Sequence, residues 1–309
     1  MKVSKATKIQ RMTGDKLCFW SKSDSGYHYQ GQQCTVMIGQ PTGSLRPINL
    51  DTLQADTLDD CNLYDIEPLR NFEPISNYPD IYIGENFVPA LKRCLQIVSS
   101  DCARNYGTVV LITNDSKAVK TVATDSFILF EHTSETSYGA TPFSMCLPVK
   151  ACKLILELFG KKDVLLAQFS NDKTTLVLSS GNITCHVRVS SVKYPNYKPA
   201  MPDCNIGRSS GYWPKTFPKI KAIVADVTKD STRFWAKGQT DLGTLTAPIY
   251  GFGKDFLPSR YNPKYLNFVT DSADKPIWYQ SIDADNPLVF RSNPAMHCTE
   301  TTVIVPITA

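Results

Sequence analysis

Residues 120–132 read KTVATDSFILFEH, an apolar run that is interrupted by Thr124, Asp125 and Ser126. Asp and Ser are poor strand formers and good turn formers, because their short side chains hydrogen-bond to nearby backbone. The interruption therefore predicts a break between two strands, after which the chain resumes as one of its most apolar segments, Phe127–Phe130.

The segments around this stretch repeat one order of elements. Apolar residues alternate as in a strand, then recur at helical spacing, and are then divided by short Asn, Asp, Gly and Ser turns into three strands. The first unit is strand 81–83, helix 87–98 and three strands within 107–132, and the second is strand 143–148, helix 149–160 and three strands within 163–191. An internal duplication of this kind predicts a pseudo-symmetric α+β domain.

The two predicted helices carry basic residues on their polar sides: Lys92 and Arg93 on the first, and Lys150 and Lys153 on the second. We expect the helices to pack side by side on one face of a curved antiparallel sheet. Their polar sides have two interpretations, an ordinary solvated surface or a surface that tracks a phosphate backbone without reading bases.

The bulk composition limits the class of protein. The chain has 309 residues, is 42% hydrophobic and 20% charged, and has a net charge of +4 from 33 basic and 29 acidic residues. This charge excludes a strongly basic nucleic-acid binder overall, but not a basic face on a mixed surface. No run approaches a membrane span and the N-terminal residues lack the apolar core of a signal peptide, so we expect a soluble, cytoplasmic protein without a membrane partner.

The sequence offers no constellation for catalysis, a metal or a cofactor. The four His residues are scattered, and the ten Cys residues contain no Cys-x-x-Cys pair. Structural zinc needs four converging ligands, and the known nucleophile and phosphate-loop motifs are missing. We therefore expect reduced structural thiols, no catalytic residue and no enzyme activity, although a hydrolase built from dispersed carboxylates stays open as a third hypothesis.

Four segments resemble the bacterial DNA polymerase III beta subunit, the DNA sliding clamp family. They are TVATDSFIL (121–129), YPNYKPAMP (194–202), YNPKYLNFV (261–269) and TTVIVPITA (301–309). The family has a Thr-Asp-Gly segment, a Phe-Pro-x-Tyr border segment, a last helix and an apolar tail at these places. The resemblance implies clamp-like α+β domains with helices packed on one face of curved antiparallel sheets: a reduced N-terminal region at 1–80, in which no helix like 87–98 is evident, a central domain at 81–205 and a C-terminal domain at 206–309.

In that family these segments line a groove that receives short hydrophobic peptides. The candidate groove residues are Thr124, Ser126, Phe127, Ile128, Leu129, Pro195, Pro199, Ala200, Asn262, Tyr265, Ile304, Val305, Pro306 and Ile307. The sequence departs from the family at Ser126 (usually Gly), Phe127 (often His), and Ile128 and Pro199 (commonly Arg). A groove of this composition is less basic and more apolar than the usual groove of the family. Leu129 and Ile304 have an equally good interpretation as ordinary core residues.

The resemblance implies a processivity factor that encircles double-stranded DNA independently of sequence and binds DNA polymerase and a clamp loader through such peptides. The candidate DNA-facing residues are Lys92, Arg93, Arg104, Lys150, Lys153 and Lys219. Three domains per chain favour a dimeric ring, whereas two favour a trimer if residues 1–80 do not form a domain. The alternative is a clamp-derived interaction module that keeps the groove without closing a ring.

Overall fold

The computed structural model describes residues 5–15, 17–40, 46–49, 81–84, 86–100, 102–115, 117–135, 142–161, 163–170, 173–201, 209–212, 225–230, 233–240, 243–249, 259–271, 277–281, 287–293 and 298–307. The chain divides into two compact units. Unit 1 is Met1–Thr121 with Glu135–Lys193, and unit 2 is Val122–Ser134 with Tyr194–Ala309. The chain thus enters unit 2 within the stretch 120–132, and the division into regions 1–80, 81–205 and 206–309 stays a prediction.

The described elements follow the chain in this order. The helices are α1 (Lys5–Thr13), α2 (Phe87–Cys94), α3 (Val149–Leu158) and α4 (Pro263–Thr270). The strands of the first half are β1 (Leu17–Ser23), β2 (Gly26–Gly31), β3 (Cys34–Gly39), β4 (Arg46–Asn49), β5 (Ile81–Ile83), β6 (Val109–Asn114), β7 (Ala118–Thr124), β8 (Ile128–Glu135) and β9 (Phe143–Pro148). Those of the second half are β10 (Leu165–Phe169), β11 (Thr175–Ser180), β12 (Ile183–Arg188), β13 (Ser209–Tyr212), β14 (Ala225–Asp230), β15 (Arg233–Thr240), β16 (Gly243–Ile249), β17 (Arg260–Tyr261), β18 (Trp278–Ser281), β19 (Leu288–Ser292) and β20 (Cys298–Ile304).

Unit 1 contains an eight-stranded antiparallel sheet in the order β4-β1-β2-β3-β12-β11-β10-β5. Burial alternates along β2 and β10, because successive strand residues point to opposite faces of a sheet. Helix α3 packs against both α1 and α2, so the three helices lie next to one another. Strands β6 and β9 form a further antiparallel pair in this unit.

The predicted order of one strand, one helix and three strands occurs twice, and its origin in an internal duplication stays a prediction. The two copies of this order are β5-α2-β6-β7-β8 and β9-α3-β10-β11-β12. Helix α2 ends at Cys94, earlier than the predicted end at Val98, yet Ile97 and Val98 are buried in the turns that follow. The apolar spacing thus predicted which residues are buried and misjudged only where the helical hydrogen bonding stops.

The sequence made no helix evident in residues 1–80, yet the structure has α1 at Lys5–Thr13. Its buried side consists of Ala6, Thr7, Ile9, Gln10 and Thr13. Only two of these five are apolar, so the helical periodicity that sequence reasoning depends on is almost absent. Strands β1 and β3 lie on the stretches LCFWSKS and CTVMIG of the same region.

A buried carboxylate fixes the end of α1. Asp15 accepts hydrogen bonds from Thr13 Oγ1 (2.9 Å), Tyr29 Oη (2.8 Å) and the backbone N–H of Gln33 (3.0 Å). These donors pair both oxygens of the buried carboxylate. Gly31 leaves the necessary space, since a Cβ atom at that position would lie 2.1 Å from Asp15 Oδ2.

Unit 2 contains the antiparallel strand order β13-β18-β19-β20-β8 and a separate four-stranded sheet, β16-β15-β14-β17. Helix α4 begins at Pro263, and the Asn262 side chain caps it by accepting a hydrogen bond from the Lys264 N–H at 2.9 Å. Phe268 of α4 packs edge-on against Phe130 of β8, with ring centroids 5.4 Å apart. The core of the unit includes both rings and Tyr261, Tyr279 and Phe290.

None of the eight described cysteines is in a disulfide, and all but the half-buried Cys102 are buried. Cys94 and Cys152 lie on the buried sides of α2 and α3. Within the described ranges, no group of three or more His, Cys, Asp or Glu residues is arranged to hold a metal ion. None of the four described helices has the length and apolar composition that a membrane crossing requires.

Candidate peptide-binding site and basic helix surface

The Thr124–Ser126 interruption forms a closed turn. Asp125 Oδ1 accepts hydrogen bonds from the N–H groups of Phe127 (3.0 Å) and Ile128 (3.1 Å). Thr124 Oγ1 donates to the Ile128 carbonyl at 2.8 Å and accepts from the Ser126 N–H at 3.0 Å. The polar residues that are unsuited to a strand thus satisfy the backbone of the bend and fix the start of β8.

Ser126 has a φ of +89°, a conformation that L-residues with a side chain rarely adopt. The clamp family usually has Gly at this place, and Gly adopts a positive φ without a steric penalty. The departure noted in the sequence therefore adds backbone strain to the turn.

A hydroxyl from α4 connects that helix to the turn. Tyr265 Oη donates to Asp125 Oδ2 at 2.7 Å. Burial of the phenol, together with the hydrogen bond to Asp125 and the negative charge of that carboxylate, raises the pKa of Tyr265. The hydroxyl therefore stays protonated and available as a donor, and both oxygens of Asp125 are engaged.

The C-terminal tail is attached to the same turn through its backbone. Strand β20 ends at Ile304, after which the Val305 N–H donates to the Phe127 carbonyl at 2.9 Å and the Ile307 N–H donates to the Arg260 carbonyl at 2.8 Å. Pro306 is buried between these two attachments. The Ile307 side chain remains exposed although its backbone N–H is engaged.

These attachments create an exposed apolar patch, which we define as Phe127, Val305 and Ile307. Their side chains are 56%, 39% and 37% exposed, and they are three of the five large apolar side chains that are exposed among the described residues. Grouped exposed apolar residues mark interaction sites far more often than scattered ones. The patch is therefore the best candidate for contact with a partner.

The other candidate groove residues fall into two groups. Ile128, Leu129 and Ile304 are buried, and Ile128 pairs with Ile304 in the β8–β20 ladder, so they form core beneath the patch. Pro195, Pro199 and Ala200 are exposed on the border segment. Sequence reasoning missed Tyr197, which is buried and donates from Oη to Glu131 Oε2 at 2.7 Å, thereby fixing this segment on β8. It also missed Asp125 and Arg260.

The predicted DNA-facing residues lie in unit 1 where they are described. Lys92, Arg104, Lys150 and Lys153 are exposed and Arg93 is half-buried, whereas Lys219 lies outside the described residues. Arg104 donates to Tyr106 Oη at 3.0 Å. Helix α1 adds exposed Lys5, Lys8 and Arg11, and Lys8 forms an ion pair with Glu157 of α3.

No protein-family model matches the chain, and no curated protein matches it in sequence. Solved structures match over nearly its whole length. The DNA polymerase beta subunit of Streptococcus pyogenes has a TM-score of 0.75 at 12% identity, covering 98% of this chain and 97% of its own. The DNA polymerase sliding clamp of Bacillus subtilis has a TM-score of 0.70 at 14% identity, covering 99% and 94%. The chain has the fold of a DNA sliding clamp.

This clamp fold is the α+β class expected from the duplicated segments and the four family-like segments. A third clamp structure bears on the candidate site. The Helicobacter pylori beta clamp bound to a DNA ligase peptide matches with a TM-score of 0.73 at 15% identity, covering 98% of this chain and 97% of its own. A clamp of this fold therefore binds a peptide from DNA ligase.

Proposed function

We propose that this protein is a DNA sliding clamp: a non-enzymatic ring that encircles duplex DNA and holds a polymerase through a short hydrophobic peptide. The observation that carries the proposal is the exposed apolar patch, built on the turn, α4 and the tail within a clamp fold. The clamp loader would bind the same patch in turn.

The patch suits the apolar side chains of an extended peptide. Phe127, Val305 and Ile307 would contact the peptide, while Asp125, Tyr265 and the Asn262 cap hold the elements that present them. A Leu or Phe side chain buried against the patch contributes about 1.5–3 kcal/mol. Thr124, Ser126 and Pro306 would form the rim, with Pro195, Pro199 and Ala200 on the far wall.

The exposed basic residues of α2 and α3, together with Arg104 and Lys219, would face the DNA. Lys and Arg attract phosphates without regard to sequence, and this attraction weakens as salt is added. Encirclement keeps the protein on DNA by topology, so individual phosphate contacts can be weak.

Two measurements test the proposal. Sedimentation should give a mass of two or three times the 34.4 kDa chain, because one chain cannot close a ring of six clamp domains. The protein, loaded with a clamp loader, should stay on nicked circular DNA and leave when the circle is cut. A monomer that binds the peptide would instead support the non-ring interaction module.

Charge variants test the DNA surface. The triple variant Lys92→Glu, Lys150→Glu, Lys153→Glu should lose retention on circles and keep its fold, because exposed helix positions tolerate substitution within about 0.5 kcal/mol each. The matched control is Lys22→Glu, Lys117→Glu, Lys161→Glu, which changes the net charge equally at other exposed positions of unit 1. Equal loss in both variants would contradict a specific DNA-facing surface.

A further inference from the structure

Unit 1 contains a small cavity of about 220 Å³ at the point where α1 ends and α3 begins. Its walls come from α1, β3, α3 and β12 and consist of Thr13, Gly14, Gln33, Cys34, Pro148, Lys150, Ala151, Leu154, Val187 and Arg188. Pockets for drug-sized ligands usually measure ~300–1,000 Å³. The cavity therefore suits a small polar group rather than a large organic molecule.

Two cations and no carboxylate line this cavity. Lys150 comes from α3 and Arg188 from β12, and the lining contains no Asp or Glu. Among the described residues, neither cation has an ion-pair partner. Both residues are also exposed, and positive charge from two elements at one cavity favours an anionic ligand over a cation.

The backbone makes room for the lysine. Gly14 has a φ of +76°, and a Cβ atom there would lie 2.6 Å from Lys150 Nζ. The ammonium group therefore occupies space that only a glycine leaves open. The cap residue of α3, Pro148, makes no side-chain hydrogen bond, so the first-turn N–H groups at Lys150 and Ala151 are left without a capping side chain.

The remaining polar groups of the lining do not repel an anion. Burial, followed by the influence of Cys185, Asp15 and Cys18, raises the pKa of the Cys34 thiol well above 9.0, so Cys34 is neutral. The nearby Asp15 carboxylate is not part of the lining, and its three hydrogen bonds to Thr13, Tyr29 and Gln33 occupy it.

We propose that this cavity binds a phosphate group between Lys150 and Arg188. A guanidinium matches two oxygens of a phosphate at once, whereas an ammonium supplies a compact charge from another direction. The phosphate has two sources, free inorganic phosphate or the backbone of DNA. The second source rests on the proposed clamp function, and the first does not.

The test uses the whole protein and inorganic phosphate as the probe. Isothermal titration with phosphate, against chloride at the same ionic strength, should show saturable binding to the parent chain. Arg188→Gln and Lys150→Gln should each weaken that binding about tenfold or more, because each removes a charge-assisted contact. Lys161→Gln, which removes one exposed charge elsewhere in unit 1, should leave it unchanged. Equal behaviour of phosphate and chloride, or equal loss in all three variants, would overturn the proposal.

Retention on nicked circular DNA identifies the source. A larger loss of retention in Arg188→Gln than in Lys161→Gln assigns the site to a backbone phosphate, whereas equal retention with lost phosphate binding assigns it to free phosphate. A parent protein that binds phosphate but is never retained on DNA would contradict the clamp function while supporting the phosphate site.

Discussion

Two turns within residues 81–132 have the same hydrogen bonds inside the turn but different contacts with the rest of the protein. One follows β6 at Asp115 and the other follows β7 at Asp125, and both begin with Asp-Ser. Asp115 Oδ1 accepts from the Lys117 and Ala118 N–H groups at 3.1 and 3.0 Å, as Asp125 Oδ1 does from Phe127 and Ile128 at 3.0 and 3.1 Å. The hydrogen bonds inside the turn therefore do not distinguish the two turns.

The difference lies in the second carboxylate oxygen. Asp115 Oδ2 lies 3.8 Å from Lys120 in an exposed ion pair, which contributes little to stability. Asp125 Oδ2 accepts from the buried Tyr265 hydroxyl, and the carbonyl of the next-but-one residue, Phe127, accepts from the tail. One turn only reverses the chain, whereas the other joins β8, α4 and the tail into a single site.

Replacing each aspartate tests this difference with the largest expected effect. Asp125→Ala should lower the free energy of unfolding by about 2–4 kcal/mol, because it removes the turn hydrogen bonds and leaves the Tyr265 hydroxyl buried without an acceptor. Asp115→Ala removes hydrogen bonds at an exposed carboxylate and leaves no buried hydroxyl without an acceptor, so it should cost about 1 kcal/mol or less. Urea unfolding of both variants measures the difference between their free energies of unfolding. Equal losses of this free energy would show that the contact with Tyr265 does not stabilise the second turn.

The third residues of the two turns, Lys117 and Phe127, separate stability from binding. Phe127→Ser should weaken binding of a hydrophobic clamp-binding peptide about tenfold or more, since it removes the most exposed member of the apolar patch. Its melting temperature should change little, because the side chain is exposed. Fluorescence polarisation with a labelled peptide measures affinity, and Lys117→Ser is the matched control. Unchanged affinity in Phe127→Ser would remove the patch from the proposed site.

The strand that follows the second turn adds a pH dependence. In β8, His132 Nδ1 lies 3.5 Å from Glu300 Oε1, and both side chains are buried. Burial opposes protonation of the imidazole, but Cys298 and the charge of Glu300 outweigh it and raise the pKa of His132 above 6.5. The pair therefore stabilises the fold in full below pH 6.5, and this contribution is lost as the pH rises through the raised pKa.

Melting temperatures measured between about pH 5 and pH 8 should show this decline in the parent chain. His132→Asn and Glu300→Gln should each flatten it, because each removes one partner of the pair. A decline of the same size in either variant would assign the pH dependence to other groups.

The smallest expected effect concerns Ser126. The positive φ of Ser126 costs about 1–2 kcal/mol, and Ser126→Gly removes this cost. Glycine also loses about 0.5–1 kcal/mol more conformational entropy on folding. The free energy of unfolding should therefore rise by about 0.5 kcal/mol. Ser191→Gly, at an exposed serine without a positive φ, should lose stability instead. A loss in both variants would show that the bend of the second turn is not strained.

The sequence predicts helices and strands best where the buried residues are apolar. Helix α3 was predictable because Val149, Cys152 and Ile155 recur on one side, whereas α1 was not, since Thr7, Gln10 and Thr13 are buried polar residues. In the same way, the duplicated strand–helix–three-strand order follows from apolar periodicity and turn residues.

The candidate site was only partly predictable. The family resemblance identified Phe127, Tyr265 and the tail, but the tail is attached through backbone N–H and carbonyl groups, which no residue type reveals. Tyr197 gave only the weak signal of an aromatic residue between Pro195 and Pro199. The contact of Asp125 with Tyr265 joins residues 140 positions apart, which a sequence pattern cannot show.

The backbone attachment of the tail has an evolutionary consequence. Because Val305 and Ile307 are held by main-chain atoms of Phe127 and Arg260, the side chains at all four positions can be exchanged while the scaffold stays in place. A lineage can therefore change the exposed side chains of the patch by point mutations, without first rebuilding the fold that presents them.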